Sequence, residues 1–411
     1  MAAYAVTDAT LVDGSVVDVV VEDGHIVAVG PGAGSGVANH VEAGHGLLLP
    51  AYVDTHVHLD KVLVRDQLAE HDGTLTGAIR SIHAAKSAYD VDDVRRRARA
   101  VIESSVLTGT TRLRSHVDVD TVGGLVPLEG VFAAAQDCAS IADVDLIAFP
   151  QEGILRDPGT ADLMVEAMHR GARVVGGMPH WEQDEDDQRE HVRFCFELAG
   201  RFDADVDMHV DETDDGSVRT LAMVVEETER SGWQGRVTAG HVCALAAADD
   251  DYADEVIAGC ARAGITVVAN PVTNLVLQGR GDRGLVRRGT TRIRELVAAG
   301  VPVAFGQDCV NDGFYPFGRG DLLEVALVSA HVAHLTTVAE QHVALAAVTT
   351  VPAGAWRLGS EYGVAVGARA DLQLYATATW PEVLRLQEPP RHVWFRGREV
   401  ARTTVTRELL G

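Results

Sequence analysis

The stretch LLLPAYVDTHVHLDK, residues 47–61, runs from apolar residues of strand type into two histidines one residue apart, with Asp54 before them and Asp60 after. Successive strand side chains point to opposite faces, so His56 and His58 share one. Two imidazoles side by side at the mouth of a buried strand are costly unless something holds them, and a metal ion is the commonest reason. Similar polar tips end seven further strand-like runs. They carry His116, Asp118 and Asp120; Gln151 and Glu152; His180; His209, Asp211 and Glu212; His241; Asn270; and Gln307 with Asp308. Of these, His56, His58, His209 and Asp308 form a ligand set suited to a divalent ion that keeps one position open for water. Water on such an ion ionises near neutral pH. Glu212, three residues past His209, can then shuttle protons without ligating the ion. His241 can orient the attacking oxygen, and Asp308, itself a ligand, can accept its proton.

These tips need a scaffold that brings them together. The eight runs are LLLPAYVDTHVH, TRLRSHVDV, VDLIAFPQEG, ARVVGGMPH, DADVDMHVDE, GRVTAGHV, GITVVANP and VPVAFGQD. Each is followed by room for a helix, as in VDDVRRRARAVIESSVLTG, ADLMVEAMHRG and TRIRELVAAG. Strict alternation of strand and helix means parallel βα units, and eight of them predict an α/β fold, a (β/α)8 TIM-like barrel with its site at the C-terminal strand ends. Residues 1–49 and 360–411 read instead as short strands and turns, with a hairpin signal at Asp23–Gly24. They predict one small β-sandwich domain built from both termini around a barrel over 50–359. The charge run WEQDEDDQREH, 181–191, follows the fourth strand and reads as a solvated helix start that could also border the pocket.

The number of ions is a separate question. Binuclear barrels of this type usually bridge their metals with a carboxylated lysine on strand four. This chain has only two lysines, Lys61 and Lys86, and offers Gly176 and Gly177 at that place. One ion is therefore expected, unless Glu182 or another acid substitutes.

Composition narrows the class. Of 411 residues 46% are apolar, enough for a large core, and the net charge of −25 repels phosphate backbones. Nucleic acid and anionic membrane are thus poor partners. Five cysteines, odd in number, widely spaced and without C-x-x-C, fit a reducing cytoplasm and exclude a zinc ribbon. The opening MAAYAVTDATLVDG lacks the basic residues of a signal peptide, and no apolar run reaches membrane-spanning length. A cytoplasmic protein is expected.

Seven stretches, DTHVHLDK, RSHVDVD, AFPQEGI, DMHVDETDD, VTAGHV, VANPVTNLVLQGR and FGQDCVNDGFYPFG, are spread from the first strand run to past the eighth, so that what they share spans most of the chain. With them it resembles the amidohydrolase superfamily, and within it the bacterial cytosine deaminase group of barrel type. The resemblance implies one zinc or iron ion on His56, His58, His209 and Asp308. It implies that Gln151 hydrogen-bonds a ring carbonyl and the adjacent nitrogen, Glu212 protonates the ring nitrogen beside the carbon under attack, and His241 steers the nucleophile. It also implies a homo-oligomer. His180, Trp181, Cys309 and Phe314 are expected to line the substrate pocket with Gln151. Three places depart from cytosine deaminases: Cys309 stands where they carry a second Asp, Gln307 where they carry His, and Phe314 where Trp is usual. An acid lost beside the exocyclic nitrogen frees space, so a substituted ring or another amino-heterocycle is expected. The reading is a hydrolytic deaminase releasing ammonia from a cytosine-like or related pyrimidine or purine ring. Its alternatives are removal of a substituted amine from a triazine-type ring, and opening of a cyclic amide on the same fold, the latter with two metals.

Overall fold

A computed structural model describes residues 3–69 and 73–411. Eight strands form one parallel sheet: β1 (Tyr52–Val57), β2 (Thr110–Asp118), β3 (Asp143–Phe149), β4 (Val174–Gly177), β5 (Asp205–Val210), β6 (Val237–His241), β7 (Thr266–Ala269) and β8 (Val303–Phe305). Their spatial order follows the chain from β1 to β8. The sheet closes where Val57 bridges Asp308: the His58 amide donates to the Asp308 carbonyl at 3.0 Å, and the Asp308 amide to the His56 carbonyl at 2.6 Å. Almost every residue of β1, β2 and β4–β8 is buried, because side chains fill the barrel on one face and helices cover the other. This is the expected (β/α)8 barrel.

The helices arise where the sequence carries caps and a 3.6-residue apolar stripe. Asp90 caps the helix Val91–Leu107 by accepting from the amides of Asp92 and Asp93, and Val94, Ala98, Val101 and Ile102 face the core. The charge run after β4 is a helix start: Asp184 caps Glu185–Phe202, and acidic residues in its first turn suit the positive end of the helix dipole.

Two small sheets flank the barrel. One orders His25–Gly30, Val16–Glu22, Tyr4–Thr10 and Asn39–Glu42. Its hairpin turns at Asp23 and Gly24, both with positive φ (45° and 83°), as a two-residue turn of the primed type requires. The other orders Arg398–Arg402, His392–Phe395, Leu372–Leu374 and Leu48–Pro50, so the two ends of the chain pair directly. Val6, Val19 and Ile26 share a core with Ala368, Leu372 and Trp394, which makes the sandwich one body. One feature differs from the expected all-β tail. Trp380–Leu386 is helical, and Trp380, Val383 and Leu384 pack into the barrel core.

Candidate active site

The C-terminal strand tips converge. His56 comes from β1 and His58 from just past it, His209 from β5, His241 from β6, and Asp308 from the residues just past β8. One ligand atom each of His56, His209, His241 and Asp308 lies within 4.8 Å of the others. His58 joins them: its Nε2 stands 3.0 Å from Nε2 of His209 and 3.4 Å from Asp308 Oδ1. His56 Nε2 and Asp308 Oδ2 are buried with no hydrogen-bond partner among the described residues. Burial also holds the His56, His58 and His209 imidazoles well below their ordinary pKa, hence neutral with a lone pair to give. With neutral imidazoles converging on a carboxylate, these groups fit a divalent cation.

Beside them, Glu212 Oε1 accepts from Asn274 Nδ2 at 3.1 Å and lies 3.3 Å from His241 Nδ1. His241 Nδ1 also faces the Asn274 carbonyl oxygen at 3.1 Å, while Asn270 Nδ2 approaches Nε2 at 3.3 Å. The two nearer Nδ1 neighbours, Glu212 and Asn274 Oδ1, are acceptors, with Asn270 Nδ2 farther off at 3.5 Å, so Nδ1 carries a proton. Burial raises the Glu212 carboxyl above its usual range, with His241 opposing, so a proton is available there near neutral pH. Backbone geometry is unusual at these tips: Asp211, His241, Val242 and Asp308 all have left-handed φ, of 51°, 69°, 52° and 62°. For β-branched Val242 that is a strained conformation, of a kind that clusters at functional sites.

Residues 63–401 match the profile of the Amidohydrolase family. The chain belongs to the amidohydrolase family. It is similar to pterin deaminase of Rhizobium rhizogenes, 33% identical over 94% of this chain and 88% of that protein. Its fold superposes on 5-methylcytosine deaminase of Klebsiella pneumoniae, solved with 5-fluorocytosine, with a TM-score of 0.94 at 32% identity over 99% of each chain. N-isopropylammelide isopropylaminohydrolase of Burkholderia multivorans follows at a TM-score of 0.85 and 28% identity, covering 98% of this chain and 99% of that one. As an amidohydrolase the chain is a hydrolase acting on carbon–nitrogen bonds other than peptide bonds.

In this amidohydrolase the cavity above the histidines is lined by Gln151, Glu212, Cys309 and Phe314 together with Leu75, Ile79, Met178 and Thr273. His180 and Trp181, expected here from the sequence, do not line this cavity, although His180 lies close to His209 and His241. A short 3₁₀ turn, Pro179–Trp181, turns the chain after β4; the Trp181 ring packs on the Arg156 guanidinium at 4.7 Å and its carbonyl accepts from Arg156. Glu182 is also engaged elsewhere. Its carboxylate accepts from the amides of Ile154, Leu155 and Arg156 and pairs with His191 Nδ1 at 2.7 Å. Cys309 Sγ sits 3.5 Å from Asp308 Oδ1.

Sequence reasoning passed over Asn274, Thr273, Met178, Leu75 and Ile79. The signal for Asn274 was present in NPVTNL: Pro271 opens the helix Pro271–Leu277, which puts Asn270 and Asn274 one turn apart on one face. It also passed over Asp207. This β5 residue lies 3.3 Å from His116 Nε2 in a second buried group with His56, so His116 belongs to the layer beneath the tips.

Proposed function

We propose that this amidohydrolase is a metal-dependent hydrolytic deaminase of a small amino-substituted nitrogen heterocycle, a pyrimidine of cytosine type or a related fused ring such as a pterin. The observation that carries the reading is Glu212: a buried, readily protonated carboxyl fixed by Asn274 and His241 beside the His/Asp cluster. It is joined by the names of two relatives above 30% identity, both deaminases of such rings.

One zinc or iron ion held by His56, His58, His209 and Asp308 would supply a water that ionises near neutral pH and a positive charge for the developing oxyanion. The rest is the work of side chains. Gln151 binds the ring at an edge. Glu212 delivers its proton to the ring nitrogen next to the amino-bearing carbon, which makes that carbon electrophilic. His241, tied through Nδ1, orients the attacking oxygen, and Asp308 takes the proton it sheds. The new C–O bond completes a tetrahedral carbon. Return of a proton to the exocyclic nitrogen breaks the C–N bond, and ammonia leaves.

A second reading, removal of an alkylamine from a triazine-type ring, is favoured by Cys309 in the pocket wall and by the 28% identical isopropylaminohydrolase. Cyclic-amide opening calls for two ions; both lysines and Glu182 are committed away from the cluster, which supports one. The remaining parts of the reading are a cytoplasmic location, in keeping with five buried free cysteines, and a homo-oligomer, which sedimentation would measure. Among the described residues no helix is long and apolar enough to cross a membrane.

The test is ammonia release from cytosine, 5-substituted cytosines, pterins, isoguanine, creatinine and aminotriazines, with elemental analysis of the protein. One ion per chain is expected, and two would favour cyclic-amide chemistry. Glu212→Gln should lower turnover by about 10²–10⁴-fold with metal content unchanged. Full activity in that variant would remove Glu212 from the proton-shuttle role.

A further inference from the structure

The two lysines of the chain, Lys61 and Lys86, are both buried, each 1% exposed, and lie side by side. One carboxylate joins them: Asp118 Oδ1 pairs with Lys61 Nζ at 2.6 Å and Oδ2 with Lys86 Nζ at 2.6 Å. Each lysine then holds one of two consecutive residues after β3. Lys61 Nζ donates to Gln151 Oε1 at 2.9 Å, and Lys86 Nζ reaches Glu152 Oε1 at 3.3 Å as well as Asp120 Oδ2 at 2.6 Å. The rings of Phe149 and Phe314 flank the Lys61 ammonium at 5.6 Å and 5.8 Å.

The chemistry of the pair decides which way Gln151 points. An ammonium has only donors, and the two ends of a side-chain amide differ. Only the amide oxygen can face Lys61, because a flipped amide would bury N–H against N–H with no acceptor between them. The amide nitrogen is therefore directed elsewhere, and it lies 3.3 Å from Met178 Sδ in the cavity wall. A thioether is a weak acceptor that a better one can displace.

We propose that Lys61 is a positioning residue that locks the Gln151 amide with its nitrogen toward the pocket, so that the substrate presents a hydrogen-bond acceptor at that edge. This rests on the deaminase reading above. Cytosines and pterins share the fragment H₂N–C–N–C=O, in which the amine and a carbonyl flank one ring nitrogen. The lock selects that carbonyl, and a ring with an amino group in its place meets donor with donor.

Matched pairs test this: cytosine against 2,4-diaminopyrimidine, and pterin against 2,4-diaminopteridine, with the metal-loaded enzyme. The parent should favour the oxo member by at least about 10²-fold in kcat/KM. Lys61→Met should reduce that ratio to about tenfold or less, chiefly through a higher KM for the oxo member, while Lys61→Arg, still a pure donor, should keep more of it. Equal use of both members by the parent, or an unchanged ratio in Lys61→Met, overturns the proposal. A second measurement does not depend on that variant folding. With ¹⁵N-lysine the chain gives only two Nζ signals, and Gln151→Leu should move one and spare the other; two unmoved signals overturn the lock. Lack of ammonia release from every ring would sink the deaminase reading, and the Nζ signals would still decide whether Lys61 holds Gln151.

Discussion

Asp312 illustrates what single residues contribute around the site. Its Oδ1 accepts from the amides of Phe314 and Tyr315, both at 2.8 Å, and so shapes the loop that carries Phe314 into the pocket wall. Burial raises this carboxyl to about 6, with its two backbone donors opposing and Asp308 adding to the rise. A carboxyl whose folded pKa lies above its unfolded one contributes stability that is whole below the unfolded value and is lost as pH rises through the folded value. Asp312→Asn keeps an acceptor and cannot ionise. Its melting temperature relative to the parent should therefore climb between about pH 4 and about pH 7, by up to roughly 3 kcal/mol of stability. Thermal denaturation across that range checks it, and a flat difference contradicts it. The same scale shows what was readable by eye. The H-x-H pair and Glu212 stand out in the sequence, whereas Lys61 looks like an ordinary charged residue until Gln151 and Asp118 are seen around it.

At the scale of elements, the strands do more than end near one another. Gly240 on β6 leaves room for the His56 ring: a methyl group there would lie 2.7 Å from His56 Cε1. Gly306 after β8 does the same for the His56 Cβ, also at 2.7 Å. Gly240→Ala should thus displace an imidazole of the cluster while the barrel still folds. The expected result is a loss of metal affinity of about 10–100-fold in competition with a chelator, with circular dichroism unchanged. Unaltered affinity would show that His56 does not need its present position. The eight strands were legible because almost all are buried on both faces and each ends in polar residues. The turn Pro179–Trp181 was not, because its direction depends on Arg156 and on the Glu182–His191 pair, which come from separate segments.

At the scale of the molecule, one buried acid ties the barrel to the terminal sandwich. Asp371 is 2% exposed and pairs with Arg112 of β2 at 2.7 Å, with Arg369 at 2.7 Å, and with the Arg396 amide at 2.6 Å. Removing one partner of a buried pair leaves an uncompensated charge, which is far worse than lacking the pair altogether. Asp371→Ala should destabilise the protein by about 3–5 kcal/mol in urea unfolding. A change within a few tenths of a kcal/mol would mean that Asp371 does not hold the two bodies together.

The sequence by itself determined the periodicities and the chemistry of residue types: eight buried strands with intervening helices, a β-rich pair of termini, and histidines and carboxylates at strand ends. These are local properties, set by two- and 3.6-residue repeats and by what an imidazole or a carboxylate can do. The tertiary structure alone decided which tips share a cation-sized space, why Glu182 and Trp181 stand apart from it, and that Asn274 and Lys61 orient Glu212, His241 and Gln151. Orientation of that kind depends on distances between segments up to a hundred or more residues apart, and only closure of the barrel, through Val57 and Asp308, sets those distances.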